Sequence, residues 1–187
     1  AGALEAIENT LNDDMRVVWN DAFKLMRGEQ SYLDWREQTY PRWMQPKDIY
    51  ESMCLGTNVM FAEAFKVRDS IITELPDCNI MPMWVGIDKE ISNSINNNLW
   101  IPNLGYYGEY LYGGVYPIQS QAVDNLGQAL AIIFGIANKE MARSIISKTP
   151  YTPYGISSVY PQLPDIKPYH NAVSYTHLRA HETCADL

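Results

Sequence analysis

The sequence predicts an all-α fold, a toroid of helical hairpins joined by long aromatic loops, and three observations carry that expectation. Apolar residues recur at three- and four-residue spacing over most of the chain, no strand–helix–strand alternation is visible, and Pro, Gly and Tyr collect between the periodic segments. No internal repeat stands out, so a short-period solenoid is not supported.

Leu4, Ile7, Leu11, Met15, Val18, Trp19, Ala22, Phe23 and Met26 trace one helical face, which Gly28 ends. Residues 29–47 hold Pro41 and Pro46 without a sustained period and read as a long ordered loop, a length that in compact domains is usually functional. Asp48 followed by Glu51 has the pattern of a capping box, and Ile49, Met53, Val59, Met60, Phe61, Ala64, Phe65 and Val67 carry a second helix to Ile72. A third helix opens at Pro82, where the missing N–H costs nothing, and runs past Ile95. Tyr106, Tyr107, Tyr110, Leu111, Tyr112 and Tyr116 around Gly113-Gly114 predict a short β-hairpin near 105–116. A helix over 120–134 follows, with Asp124-Asn125 read as an N-cap, and Asn138 caps a last one to Ser147. The stretch from there to Asn171 is a loop rich in Pro and Tyr.

The composition, 47% hydrophobic and 19% charged over 187 residues, suits one globular domain or part of a larger one. A net charge of −8 without any cluster of Lys or Arg argues against nucleic acid, because binding a phosphate backbone needs clustered cations. No run approaches the roughly 18–20 apolar residues of a membrane span, and the first residues lack the layout of a signal peptide. Cys54 and Cys78 show no CxxC spacing and read as small buried apolar residues. Gly108, Gly113 and Gly114 lack the strand–GxGxxG–helix context of a dinucleotide site, and the expectation is that neither a metal nor an organic cofactor is used.

The densest chemistry lies in Gly28–Trp43, which crowds carboxylates, arginines and aromatic rings into one non-periodic run. Aromatic faces stack on the C–H faces of a sugar, while Asp, Arg and Gln orient its hydroxyls, so the run reads as half of a sugar-cleaving site. Glycoside hydrolysis needs two carboxyls, one protonated and one ionised. Trp35, Tyr32 and Glu37 supply the apolar burial and like charge that would keep Asp34 protonated near neutral pH.

Four stretches, GEQSYLDWREQTYPRWMQP at 28–46, LGTN at 55–58, DNLGQALAIIFGIA at 124–137 and PYGISSVYPQLPDIKPYHN at 153–171, together resemble the six-hairpin glycosidases. This is the (α/α)6-barrel superfamily that includes trehalases, processing glucosidases and glycogen-debranching enzymes; the match is to a branch common in gut Bacteroidota. The resemblance covers residues 1–171 but only about half of the family's catalytic domain, and it implies a partial (α/α)6 toroid. It makes Asp34 the general acid, in a run similar to the family's E-S-G-W-D but one residue longer, with Glu37 as the fallback. It further implies that Glu29, Tyr32, Trp35, Arg36, Gln38, Trp43, Tyr110, Tyr169 and His170 contact an oligosaccharide or polysaccharide substrate. Inversion is implied, through a water between carboxyls about 6.5–9.5 Å apart. The base belongs after a segment continuing His170-Asn171, and the family favours a periplasmic or extracellular setting.

Residues 173–183, VSYTHLRAHET, match the translation of a transposase-type sequencing adapter, so 172–187 are expected to be a non-native tail. His177 and His181 at i, i+4 beside Glu182 and Cys184 have a helical metal-ligand spacing, which the adapter match sets aside. The base is then expected to be missing, and the fragment to be inactive and to expose apolar surface.

Plainer readings stand beside these. By itself Asp34 is an ion-pair partner of Arg36 or Arg42, Trp35, Tyr40 and Trp43 are plugs between helices, and a lone His170 is structural. The alternative to a hydrolase is a non-catalytic, carbohydrate-binding helical module. A polysaccharide lyase would want a basic groove for uronates, which the acidic balance disfavours.

Overall fold

A computed structural model describes residues 2–28, 43–75, 80–113, 118–153 and 155–161. Helix α1 spans Gly2–Val18, and β1 (Trp19–Asn20) pairs with β2 (Leu25–Met26). Then come α2 (Pro46–Glu51), β3 (Met53–Cys54), α3 (Leu55–Glu74) and α4 (Ile87–Asn98). Strands β4 (Trp100–Ile101), β5 (Tyr106–Tyr107), β6 (Tyr110–Tyr112), β7 (Ile118–Gln119) and β8 (Val123–Asp124) lead to α5 (Asn125–Ile133) and α6 (Lys139–Lys148). Strands β9 (Tyr151–Thr152), β10 (Gly155–Ile156) and β11 (Val159–Tyr160) close the described chain.

The all-α expectation is wrong: the described residues are 54% helical and 16% strand. Four two-stranded antiparallel sheets and one three-stranded sheet, β3–β6–β7, tie the loops together. The reason lies in the backbone, since long connections at one end of a helical array must satisfy their N–H and C=O groups, and short ladders between them do so. The expected hairpin near 105–116 becomes two, β4–β5 and β6–β7.

The helices keep to the apolar faces read from the sequence but not to their lengths. Leu4, Glu8, Leu11 and Met15 are the buried stripe of α1, which stops at Val18 rather than Met26. There Asn20 Oδ1 accepts the N–H groups of Ala22 and Phe23, a local turn that competes with further helix. The second predicted helix is two: α2 starts at Pro46 rather than Asp48, and Asp48 instead accepts the N–H of Gln45 at 2.8 Å. The chain then extends through β3 before α3 begins. Residues 82–86 are not helical; Trp84 (φ 59°) and Gly86 (φ 77°) take left-handed backbone, and α4 starts at Ile87. Asp124 and Asn138 cap α5 and α6 as expected, accepting N–H groups from Gly127 and from Glu140 and Met141.

Helix α3 is the centre. Its first five residues, Leu55 to Val59, are all buried, and α4 and α5 pack along its flanks. Asn58, fully enclosed, accepts the Met26 N–H at 2.6 Å and donates to the Met26 and Cys54 carbonyls, so the hairpin after α1 is fastened to the head of α3. Helices α3 and α5 begin side by side: a Cβ at Gly127 would lie 3.0 Å from Leu55 Cδ2. The described residues of the connections 19–54 and 99–124 and of the stretch after α6 therefore gather at one end, while the described residues between α3 and α4 and the turn α5–α6 lie at the other.

Ser144 on α6 donates to the Gly105 carbonyl at 2.7 Å, docking that helix on the β4–β5 turn. Gly105 has φ +77°, and a Cβ there would run into the Ser144 hydroxyl. Gly105→Ala is expected to cost at least about 2 kcal/mol, from left-handed strain plus the disturbed hydrogen bond. Urea melts check this; adding Ser144→Ala relieves the clash but not the strain, so the double variant should stay less stable than Ser144→Ala alone.

Candidate functional site

The loop-rich end holds the chemistry. Leu55 N–H, in the first turn of α3, donates to the Glu109 carbonyl at 2.9 Å, and Glu109 N–H donates to Ala122 O at 3.1 Å. One residue thus links the head of α3 to the approach to α5. Strand β3 pairs with β6 beside it, Met53 with Leu111 and Cys54 with Tyr110. Beyond it, β8 pairs with β11, and Asn125 donates from its backbone to Ser158 O and from its side chain to Ser157 O.

Two carboxylates, Glu109 and Asp124, are buried here, close enough to the Cys54 thiol for their charges to act on it. Burial, with the negative charges of Asp124 and Glu109 in support, pushes that thiol up to about 11 against the hydrogen bond to Thr57, so Cys54 is a packed thiol rather than a nucleophile. Burial likewise pushes Asp124 up to about 6, against the N–H groups of Gly127 and Leu126 that favour its ionised form. Between the ordinary carboxylate range and that value the folded chain holds a proton that the unfolded chain has released, so stability falls as pH rises through this window. Asp124→Asn, which keeps a capping oxygen, is expected to gain relative to the parent as pH goes from 4 to 7, by about 3 kcal/mol at most. Paired urea titrations across that range measure the difference; a pH-independent difference would contradict it.

Among the residues expected to contact sugar, Trp43 and Tyr110 fall within the described chain; Glu29, Tyr32, Asp34, Trp35, Arg36, Glu37, Gln38, Tyr169 and His170 lie outside it. Trp43 is 56% exposed and stands edge-on against Tyr112, ring centroids 5.2 Å apart. Tyr110 is fully buried and packs 5.3 Å from the same Tyr112. Of the other tyrosines, Tyr107 is core, its hydroxyl donating to Asn96 Oδ1 at 2.6 Å, and Tyr106 reaches Gln121 O. The segment carrying Asp34 is held at both flanks: Gly28 N–H donates to Ser52 O at 2.9 Å, and Trp43 rests on Tyr112.

Sequence reasoning passed over Glu109, although a lone carboxylate inside the tyrosine run 106–112 was a signal. It gave Asp124 its capping role without its neighbours, because Cys54 and Glu109 come from distant stretches. Among the described residues no group of three or more His, Cys, Asp or Glu side chains is arranged to hold a metal ion, and no helix is long and apolar enough to cross a membrane.

No protein-family model and no curated protein sequence matches the chain. Among solved structures it is similar to the crystal structure of a GH78 family rhamnosidase of Bacillus sp. GL1, with a TM-score of 0.58 and 18% identity. The alignment covers 82% of this chain and 15% of that one, so the chain spans a small part of its neighbour's length. The likeness is one of fold: the chain has a glycosidase-like fold, shared with a segment of an (α/α)6-barrel glycoside hydrolase.

Proposed function

We propose that residues 1–171 are part of the catalytic domain of a glycoside hydrolase that cleaves a neutral glycosidic bond with inversion. Asp34 is the general acid, and Glu37 is its fallback. The opposing carboxylate belongs to a segment beyond residue 171, and residues 172–187 are not native. One observation carries the reading: Gly28 and Trp43, the flanks of the segment bearing Asp34, are both fixed at the end where α3 and α5 begin. A similar fold in a rhamnosidase supports a sugar substrate and makes α-L-rhamnosides the first compounds to try.

The alternative, a carbohydrate-binding module without turnover, is favoured by one fact: Glu109 and Asp124, two carboxylates at this end, are both closed to solvent. The test is release of p-nitrophenol from a panel of aryl glycosides, α-L-rhamnoside included, by a protein extended with its natural continuation after Asn171. Release that yields the inverted anomer by proton NMR supports the hydrolase. Saturable binding of the glycosides without release from any of them supports the module.

A further inference from the structure

We propose that Trp43, Tyr112 and Ile118 form one subsite that takes the ring of a neutral pyranose. The ligand class rests on the glycosidase reading above; the site rests on geometry. Tyr112 on β6 is the direct cross-strand partner of Ile118 on β7, so their side chains share one face of the β3–β6–β7 sheet. Trp43 meets Tyr112 at an interplanar angle of 77°, extending that face. Trp43 and Ile118 are 56% and 64% exposed, although large apolar side chains are the ones a fold ordinarily encloses.

The shelf is also braced before any ligand arrives. Tyr112 packs on the fully buried Tyr110 and shares a hydrogen bond with Ser120. Rings held in place lose little freedom on binding, which favours weak, face-on recognition of a sugar's C–H surface. Charge selects among sugars. Glu109 adjoins Tyr110, on which Tyr112 packs, and the chain carries −8 overall. A uronate would be repelled, whereas a neutral ring loses nothing.

The test titrates the whole chain, labelled with nitrogen-15, with methyl pyranosides of gluco, galacto, manno and xylo configuration and with methyl galacturonoside, following the indole N–H signals. The Trp43 signal is assigned by its loss in Trp43→Phe. Saturable movement of that signal with at least one neutral glycoside, and a weaker response to the galacturonoside, is expected. Tyr112→Ala and Ile118→Ala should each weaken binding, the first about fivefold, while Tyr112→Phe stays within about twofold. No movement of the Trp43 signal, movement confined to other indoles, or equal binding of the galacturonoside overturns the subsite. Binding at Trp43, with no hydrolysis of any glycoside by the protein extended after Asn171, leaves the subsite standing and removes the hydrolase reading; hydrolysis by the extended protein with an unmoved Trp43 signal does the reverse.

Discussion

Replacing Arg68 with alanine is expected to lower the unfolding free energy by about 3–5 kcal/mol, because it strands a buried charge. The Arg68 side chain is enclosed near the end of α3, with Nη1 donating to Glu8 Oε2 at 2.6 Å and to Met83 O at 2.8 Å. Its Nε donates to Asp69 Oδ1 at 2.7 Å, and its guanidinium lies 5.1 Å from the Phe65 ring. Glu8 in turn accepts the Met83 N–H at 2.8 Å. Two helices and a turn thus share one ion pair. Burial alone would raise the Glu8 carboxyl, but the Met83 N–H and the Arg68 charge outweigh it and hold Glu8 below the ordinary carboxylate range. The contribution of Glu8 is therefore present above that range and lost as pH falls through its lowered value. The cost of Arg68→Ala should shrink in acid, where Glu8 is neutral. A double variant, Arg68→Met with Glu8→Leu, should recover most of the loss, since apolar groups of similar volume replace a buried pair at little cost. Chemical denaturation at pH 7 and pH 3 tests both statements, and a cost under about 1 kcal/mol at pH 7 would refute the account.

Asp34→Asn, made in the extended protein, is expected to reduce turnover by about 10²–10⁴-fold on glycosides with a poor leaving group, leaving sugar affinity nearly unchanged. Asparagine keeps the shape and hydrogen-bonding reach of the side chain but cannot deliver a proton. Substrates whose leaving group departs without protonation should be hurt far less, which separates a proton donor from a merely structural ion pair with Arg36 or Arg42. The limb of the pH–rate profile that reports the acid should vanish as well. An unchanged rate would move the role to Glu37 or end the hydrolase reading.

Helical faces were legible in the chain because each is written locally. The buried residues Leu4, Leu11 and Met15 recur along one face, and Asp124 and Asn138 sit at the starts of α5 and α6. What was not legible depends on distant residues. Met53 pairs with Leu111, and no local pattern in two residues of strand announces that ladder, so loops were read where sheets form. The turn before α4 was read as helix because Pro82 suits a first turn; in the structure the carbonyls of Met83 and Trp84 bind Arg68 instead. Glu8 lies in the buried stripe of α1 but not in the apolar face read from the sequence, because the partner that allows its burial, Arg68, lies 60 residues away. The candidate site divides the same way: the aromatic run around Trp43 was visible, whereas the closeness of Glu109 and Asp124 to Cys54 exists only once the connections 19–54 and 99–124 meet.

The shared starting end of α3 and α5 has one more consequence. Every helix carries the equivalent of about half a positive charge at its N-terminus, from backbone N–H groups aligned along its axis. Two such ends lie side by side, at Leu55 and Asn125, and the fold meets both from the 99–124 connection: the Glu109 carbonyl accepts the Leu55 N–H, and the Asp124 carboxyl accepts the Gly127 N–H. One short stretch of chain thus answers the first turns of two helices, so a change in that stretch reaches both helices at once.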